Sequence, residues 1–256
     1  MLSFSSSHVH LIIFLIREDK MDLKLTDLLL SITQKSTSSE IFSSLEKYTR
    51  ELGFDNFSYG FCHPIPFTKP RIVILSNYPE RWRGRYSELG YVNIDPTVLH
   101  GRNSQSPFTW SELPTSDVRS FWDEANAHGL VVGWAKSILD SDGGLGMLTL
   151  ARSNEELCGK ELAAKNLRMC LLADLTHMVL SDAYRKEMTA SADKLSAREV
   201  EILRWHADGK TADEIGRILS ISIDTVKFHT KNAVVKLGAS NKTAAVARAA
   251  IMGLLG

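Results

Sequence analysis

Four side chains between residues 78 and 95 combine aromatic rings with hydrogen-bonding groups. Tyr78, Trp82 and Tyr86 follow one another at intervals of four residues, so on a helix they share one face. Asp95 comes nine residues later, directly before Pro96. An aromatic stripe alone usually marks a protein core. A buried carboxylate beside it must be paired or hydrogen-bonded, because desolvating it alone is expensive, and the combination indicates a pocket for a small polar ligand.

Basic residues are concentrated near the C-terminus. Residues 190–256 hold ten Lys and Arg against seven Asp and Glu, whereas the rest of the chain holds 20 against 23. Between residues 222 and 248, Asp224 is the one acid and the basic residues are Lys227, Lys231, Lys236, Lys242 and Arg248. Such a cluster near a helix pair indicates a phosphate-binding face, although a solvated charged surface has the same composition.

The last 64 residues predict four short helices. Ser196 with Glu199, and Thr211 with Glu214, form capping boxes that satisfy the free N–H groups of a helix start. Gly209 and Gly238 are placed to end helices. The expected helices run from 197 to the turn at 209, then over 212–219, 223–237 and 242–253. A short helix, a tight turn and a longer basic helix form the layout that places a recognition helix in the major groove of DNA.

The predicted third helix has an apolar face and a polar face. Val226, Ala233, Val234 and Leu237 are expected to pack inward. The residues expected on the outer surface are Thr225, Lys227, His229, Lys231 and Asn232. Lysines there neutralise phosphates, while the Thr, His and Asn side chains can bond base edges. A plain helical bundle with a basic surface is the alternative.

The region before residue 190 mixes helices and strands. Helical patterns cover 22–34, 38–52, 79–89, 116–128 and 155–187, and strand-like runs cover 57–61, 72–75, 134–139 and 146–151. Residues 140–144 fit a hairpin turn between the last two strands. We expect an extension at 1–20 with translation starting at Met21, a ligand domain at 21–185, a linker at 186–193 and a DNA-binding domain at 194–256.

Composition excludes several protein classes. The 256 residues balance 30 Lys and Arg with 30 Asp and Glu and are 44% hydrophobic, which is typical of a globular protein and not of a disordered chain. Cys62, Cys158 and Cys170 form no C-x-x-C pair, so we expect reduced thiols in a cytoplasmic protein and no metal site. The apolar run at 9–16 is far shorter than the roughly 20 residues of a membrane span, and no membrane association is expected.

The C-terminal sequence closely resembles the DNA-binding domain of LuxR-type transcriptional regulators. The resemblance covers residues 195–255. Its matching positions are Glu199, Leu203, Gly209, Ile215, Thr225, Val226, Lys227, His229, Lys236 and Leu237. It implies that Lys236 joins the DNA-binding residues, and that a homodimer binds a palindromic promoter site.

The N-terminal sequence resembles the autoinducer-binding domain of quorum-sensing LuxR-type regulators, which bind N-acyl homoserine lactones. The resemblance covers roughly residues 21–177 and includes NYP-x-x-W-x-x-x-Y, the DP-T-V run, Trp110, Phe121-Trp122, Gly129-Leu130 and the GMLTLA strand. The expected fold is therefore α+β, an α/β/α sandwich-like ligand domain with a central antiparallel sheet, followed by an all-α four-helix helix-turn-helix domain.

The resemblance implies a role for each polar residue, and the hydrogen-bonding capacities agree with it. Asp95 is an acceptor for the amide N–H of the lactone, and the donor-only indole of Trp82 suits the lactone carbonyl. Tyr78 can donate to the amide carbonyl, with Thr149 or Ser58 as a second donor. The other residues expected in the ligand pocket are Arg83, Tyr86, Thr97, Trp110 and Met147.

Two of these residues bear on the acyl chain. Met147 lies two residues before Thr149 on a strand, so both face the same side, and its bulk is expected to shorten or bend the acyl tunnel. In relatives, an Arg at the position of Arg83 can bond a 3-oxo group through water. An exposed arginine with no ligand contact is an equally good interpretation.

We therefore expect a regulator whose DNA binding responds to a small molecule, through stabilisation of the ligand-bound fold and its dimer surface. The helix at 162–187 and the segment at 243–254 are the candidate dimer surfaces. One alternative is a LuxR-type regulator that senses a different molecule. A lactone-processing enzyme is a second alternative, but the sequence has no G-x-S-x-G elbow or H-x-H-x-D cluster, so no catalytic activity and no cofactor are expected.

Overall fold

The computed structural model describes residues 38–114, 118–189 and 195–256. The predicted extension at 1–20, the start at Met21 and the helix at 22–34 lie outside these ranges, as do residues 190–193 of the predicted linker. None of the helices in the described ranges is long and apolar enough to cross a membrane.

The first part of the chain is an α+β fold around one sheet. Its helices are α1 (Ser38–Glu51), α2 (Glu80–Glu88), α3 (Pro96–Gly101), α4 (Arg119–Ala127) and α5 (Gly159–Thr189). Its strands are β1 (Asn56–Cys62), β2 (Ile72–Ser76), β3 (Phe108–Thr109), β4 (Val132–Leu139) and β5 (Leu145–Arg152). The strands pair antiparallel in the order β2-β1-β5-β4-β3. The predicted α+β fold with a central antiparallel sheet is confirmed.

The two faces of the sheet have different roles, because successive side chains of a strand point to opposite sides. On one face, Phe57, Tyr59 and Leu148 are fully buried in a core shared with α1 and α5. The opposite face presents Ser58 and Thr149, with neighbours from β2 and β4, toward α2, α3 and α4. Small and polar side chains on this face leave an open space. On the first face, large apolar residues fill the corresponding space.

Sequence patterns located the longer elements and missed two short ones. Helix α3 has six residues and β3 has two, which is too few for a hydrophobic period to appear. The start of α3 nevertheless had a local signal, since Asp95 caps the helix and Pro96 takes its first position. The predicted hairpin turn joins β4 and β5, with Gly143 at φ +84°, a conformation that glycine adopts at low cost.

The β4–β5 hairpin is tied to α5 by buried polar contacts. His177 of α5 lies 2.9 Å from the Tyr59 hydroxyl through Nδ1 and 2.9 Å from Asp140 through Nε2. Arg185, two turns further along α5, pairs with Asp140 and Asp142. A Cβ on Gly146 would overlap the imidazole, so this glycine lets α5 lie close to the sheet.

The C-terminal part is all helical, as predicted. It contains α6 (Ala197–Ala207), α7 (Ala212–Leu219), α8 (Ile223–Lys236) and α9 (Lys242–Ile251). Both predicted capping boxes form, with Ser196 and Thr211 accepting from the N–H groups of Glu199 and Glu214. The inward face of α8 packs against α6, α7 and α9. This is the short helix, turn and longer helix expected of a helix-turn-helix.

Candidate ligand cavity and DNA-binding surface

A cavity of about 530 Å³ lies between the sheet and helices α2 to α4. The alternating residues of β1, β2 and β5 form its floor, and α4 closes one side. All ten residues predicted for the ligand pocket line this cavity: Ser58, Tyr78, Trp82, Arg83, Tyr86, Asp95, Thr97, Trp110, Met147 and Thr149. Its volume is in the range of 300–1,000 Å³ that is typical of small-molecule sites.

Asp95 is held by hydrogen bonds from Thr97 and Tyr86, and the backbone N–H of Val98 also favours its charged form. Oδ1 accepts from the Thr97 backbone N–H at 2.8 Å and from the Thr97 hydroxyl at 2.6 Å. Oδ2 accepts from the Tyr86 hydroxyl at 2.8 Å, and one of its lone pairs stays available. Burial raises the pKa of Asp95, and these hydrogen bonds partly oppose the rise.

Four buried polar atoms of the cavity wall have no hydrogen-bond partner within the described ranges. They are the Tyr78 hydroxyl, the indole nitrogens of Trp110 and Trp122, and the Ser137 hydroxyl. Burial raises the pKa of Tyr78, and the nearby charge of Asp95 adds to the rise, so the phenol keeps its proton. Unpartnered buried donors are rare in native proteins, so these four groups have hydrogen-bonding capacity that the described residues do not use.

Aromatic rings enclose the end of the cavity next to Asp95. The Trp82 ring lies 5.8 Å from Tyr86 and 5.7 Å from Phe121, both edge-on. Trp122 lies 5.2 Å from Phe121 and 5.3 Å from Trp110. We call these five cavity-lining rings the aromatic box. Trp82, Tyr86 and Trp110 were predicted as ligand residues, whereas no ligand role was predicted for Phe121 and Trp122.

The part of the cavity away from the aromatic box is mainly apolar. Ile72, Ile74, Val98, Leu145 and Met147 line it. Met147 is on the cavity side of β5 together with Thr149, as the period of two predicts. Ser137 and Arg102 are polar lining residues that no sequence pattern pointed to.

Arg83 reaches the cavity wall from an exposed position on α2. The structure therefore fits both interpretations of this residue, an exposed arginine and a group at the rim of the ligand site.

The outer surface of α8 carries most of the predicted DNA-binding residues. Lys227 and Lys231 are exposed, and His229 and Asn232 are half-buried beside them. Lys227 Nζ is 4.0 Å from Asp224 with both side chains solvated, so its charge stays accessible. Thr225 is half-buried and its hydroxyl lies 2.8 Å from the Ser222 hydroxyl, which ties it to the start of α8.

Lys236 differs from the other predicted DNA-binding residues. Its ammonium donates to Glu199 Oε2 at 2.9 Å, and the Glu199 side chain is only 4% exposed. Burial alone would raise the pKa of Glu199, but hydrogen bonds from the Ser196 backbone and Lys236 bring it below the ordinary value. The geometry thus gives Lys236 an internal partner, whereas the prediction treated it as a phosphate contact.

Beyond Ile223 at its start, α8 exposes two large apolar residues that were not predicted. Phe228 is 60% exposed and Val235 is 70% exposed. They are seven residues apart, so they share one helix face with Lys231 between them. The sequence signal for their exposure is that neither residue falls on the inward face formed by Val226, Ala233 and Leu237.

Family models match both parts of the chain. The autoinducer binding domain matches residues 37–180, and the domain of bacterial regulatory proteins of the luxR family matches residues 193–249. The ligand cavity and the helix-turn-helix thus lie within two recognised domains, which together define a ligand-responsive DNA-binding regulator.

Similar proteins extend over nearly the whole chain. The transcriptional activator protein AnoR of Acinetobacter nosocomialis is 39% identical over 90% of this chain and 98% of its own. The HTH-type quorum-sensing regulator RhlR of Pseudomonas aeruginosa is 39% identical over 85% of this chain and 90% of its own. A crystal structure of Escherichia coli SdiA is similar with a TM-score of 0.81 and 34% identity, covering 91% of this chain and 98% of that one.

The chain belongs to the LuxR-type family of quorum-sensing transcriptional regulators. Its family consists of transcriptional regulators, not enzymes. The prediction of a ligand-responsive regulator is confirmed at this level.

Proposed function

We propose that the ligand of the cavity is an N-acyl homoserine lactone. The observation that carries the proposal is the pairing, in one cavity, of a buried acceptor with spare capacity and a buried donor without a partner. Asp95 Oδ2 can accept the ligand amide N–H, and the Tyr78 hydroxyl can donate to the amide carbonyl. Ser58 and Thr149 line the same part of the cavity as further donors, and Trp82 serves the lactone carbonyl.

The acyl chain then occupies the apolar part of the cavity. At about 0.8 kcal/mol per buried CH₂, six methylenes contribute about 5 kcal/mol. The polar contacts set which head group binds, and the chain supplies much of the affinity. Met147 limits the room for the chain because it lies on the floor between Thr149 and Leu145.

Two solved relatives support acyl ligands in this fold. CepR2 from Burkholderia cenocepacia is described as N-acylhomoserine lactone dependent, and its structure matches with a TM-score of 0.59 and 29% identity over 64% of this chain and 97% of its own. SdiA has also been solved in complex with octanoyl-rac-glycerol. An acyl glycerol is therefore the second candidate ligand; it has no amide N–H, so a glycerol hydroxyl would have to donate to Asp95 instead.

A direct experiment separates the two ligands. Protein produced in the presence of equal amounts of an octanoyl homoserine lactone and octanoyl glycerol is purified, extracted with organic solvent and examined by mass spectrometry. We expect the intact lactone to be retained, and isothermal titration to show tighter binding of the lactone. Retention of the glycerol ester in preference to the lactone would contradict the proposal.

For the C-terminal part, we propose that α8 enters the major groove. Lys227 and Lys231 neutralise phosphates, while His229, Asn232 and Thr225 contact base edges. Phe228 adds an exposed apolar surface suited to a thymine methyl group. A homodimer formed through α5 or α9 would present two such helices to a palindromic site, about 34 Å apart. The protein acts on DNA in the cytoplasm.

The lysines provide a quantitative test of this surface. Replacing one phosphate-contacting lysine removes about one unit from the slope of log affinity against log salt. Lys227→Ala should therefore weaken binding to specific and unrelated DNA alike and reduce the slope by about one unit, as measured by fluorescence anisotropy at several salt concentrations. An unchanged slope would show that Lys227 does not contact a phosphate.

A further inference from the structure

One charged residue of the cavity wall has no part in the contacts proposed so far. Among the described residues that line the cavity, the charged ones are Asp95, Arg83 and Arg102. Arg102 directly follows α3 and is exposed. Within the described ranges its guanidinium forms no ion pair and no hydrogen bond. A guanidinium is always charged and can only donate, so Arg102 offers an uncompensated cation to a ligand.

Close packing of α3 on the sheet fixes the backbone beside Arg102. A Cβ on the preceding residue, Gly101, would overlap the Ser137 hydroxyl and lie 2.9 Å from the Met147 sulfur. Ser137 and Met147 are directly opposite each other on β4 and β5, so their side chains are on the same face of the sheet. Both line the cavity. The end of α3 therefore lies over the part of the floor that Met147 occupies, in the apolar part of the cavity.

The Cys62 thiol shows toward which end of the cavity Arg102 extends. Burial raises the pKa of Cys62, and the nearby charge of Arg102 opposes the rise. Cys62 pairs with Leu145 on β5, whereas Ser58, four residues earlier, pairs with Thr149. At about 3.4 Å per residue, these two pairs are about 13 Å apart along the sheet. Arg102 is therefore close to the end of the cavity opposite the donors proposed for the ligand amide.

Helix α3 sets the length of a ligand that spans its two ends. Asp95 precedes the helix and Arg102 follows it, and at about 1.5 Å per residue their backbones are about 10 Å apart. Three bonds of an extended chain cover about 3.5 Å. An acyl chain whose amide reaches Asp95 therefore needs about eight to ten carbons to reach Arg102.

The apolar end of the cavity is open to solvent near Arg102. Ile74 lines the cavity from β2, which is an edge strand, and is 50% exposed. Ile72, two residues earlier on β2, also lines the cavity and pairs with Cys62. The opening is thus beside the thiol that lies near Arg102. A charged group at this opening keeps its contact with water and avoids most of the cost of desolvation.

We propose that the cavity binds an N-acyl homoserine lactone whose acyl chain ends in a carboxylate, and that Arg102 is the cation that pairs with this carboxylate. A guanidinium can bind a carboxylate through two parallel N–H···O bonds. A chain that ends in a methyl group leaves Arg102 without a ligand contact. The inference rests on the proposed lactone function and adds the chemical class of the acyl chain.

Two series of lactones test this pairing. One series has chains that end in a methyl group, the other has chains of the same length that end in a carboxylate, and both run from about six to about twelve carbons. Each lactone is titrated at low salt into the full-length protein and into Arg102→Met. At about eight to ten carbons, the unaltered protein should bind the carboxylate-ended lactone at least as tightly as the methyl-ended one. Arg102→Met should shift this affinity ratio about fivefold toward the methyl-ended lactone, as expected for a well-formed exposed ion pair.

Comparing two ligands within one protein cancels any general effect of a substitution on lactone binding. Arg81→Met is the matched control, because Arg81 is an exposed arginine of α2 that does not line the cavity. This variant should keep the ratio of the unaltered protein. Arg102→Glu carries the same test if Arg102→Met is not soluble, and it should shift the ratio further because two carboxylates repel each other. In the unaltered protein, added salt should weaken binding of the carboxylate-ended lactone more than that of the methyl-ended one.

The possible results separate this inference from the function on which it rests. A ratio that stays within about twofold of the unaltered value in Arg102→Met overturns the role of Arg102. A carboxylate-ended lactone that binds more than about tenfold more weakly than its methyl-ended counterpart at every length overturns the proposed chain class. Both results leave lactone binding intact. Failure of the unaltered protein to bind either series overturns the proposed function, and this inference with it.

Discussion

Asp95→Asn should abolish most of the lactone affinity while leaving the fold intact. Asn keeps an oxygen for the two bonds from Thr97, which cap α3, and Asn caps helices as well as Asp does. The other oxygen becomes an NH₂ group. The Tyr86 hydroxyl can turn to accept from it, but the ligand N–H then faces a donor. Losing a hydrogen bond to a charged acceptor costs about 1.5–3 kcal/mol, or about 10- to 150-fold in affinity.

The assay measures the lactone dissociation constant by isothermal titration and the thermal unfolding temperature without ligand. Glu124→Gln is the matched control, because Glu124 also accepts from a tyrosine, Tyr91, and from Arg85 but does not line the cavity. It should leave the lactone affinity within about twofold. The reasoning is refuted if Asp95→Asn binds the lactone as tightly as the unaltered protein does, or if it loses affinity only because it unfolds.

Three further predictions follow from buried groups. Burial raises the pKa of Asp95 and the ligand N–H favours its charged form, so lactone affinity should weaken as pH falls through this raised pKa, at pH values above the ordinary aspartate range. Gly133→Ala should destabilise the protein by about 1–3 kcal/mol in denaturant unfolding, because its methyl group would overlap Trp110. Lys236→Met should cost about 2 kcal/mol or more in the same assay, since it leaves the buried Glu199 carboxylate without its cation.

Each of these predictions has a control within the chain. The pH dependence should be absent in Asp95→Asn, and its persistence there would point to another group. Gly84→Ala lies on the exposed face of α2 with no atom near the added methyl group, so it should not destabilise. Lys231→Met, on the exposed face of α8, should change stability by less than about 0.5 kcal/mol. If Lys231→Met and Lys236→Met destabilise the protein equally, the ion pair with Glu199 is not the cause of the loss of stability.

Local sequence signals were enough to predict most of the fold. The capping boxes at Ser196 and Thr211 placed the starts of α6 and α7 because a cap depends on residues only three apart. Helix α3 escaped prediction because six residues cannot show an amphipathic period. The two-residue β3 has no pattern of its own and forms because β4 offers it partners.

The residues around the cavity were predictable where one strand or helix face carried them. Met147 and Thr149 follow from the period of two, and Trp82 and Tyr86 from the helical period, whereas Tyr78 lines the cavity from the segment just before α2. Pairings between distant segments were not predictable. Nothing near Lys236 in the sequence indicates that Glu199, 37 residues earlier, would accept from its ammonium. For the same reason, the unpartnered hydroxyl of Ser137 is recognised only once the neighbouring atoms are in place.

Strand β5 separates the ligand cavity on one face of the sheet from the core packed against α5 on the other face. Met147 and Thr149 line the cavity, while Gly146, the residue before Met147, lies against the imidazole of His177 on the other side. A strand moves as a unit, so an occupant that displaces Met147 also displaces Gly146 and presses on α5. Selection for a bulkier signal therefore acts on both sides of the sheet at once. Variants that adapt the cavity to a new chain length should accumulate compensating changes along α5 that never touch the signal molecule.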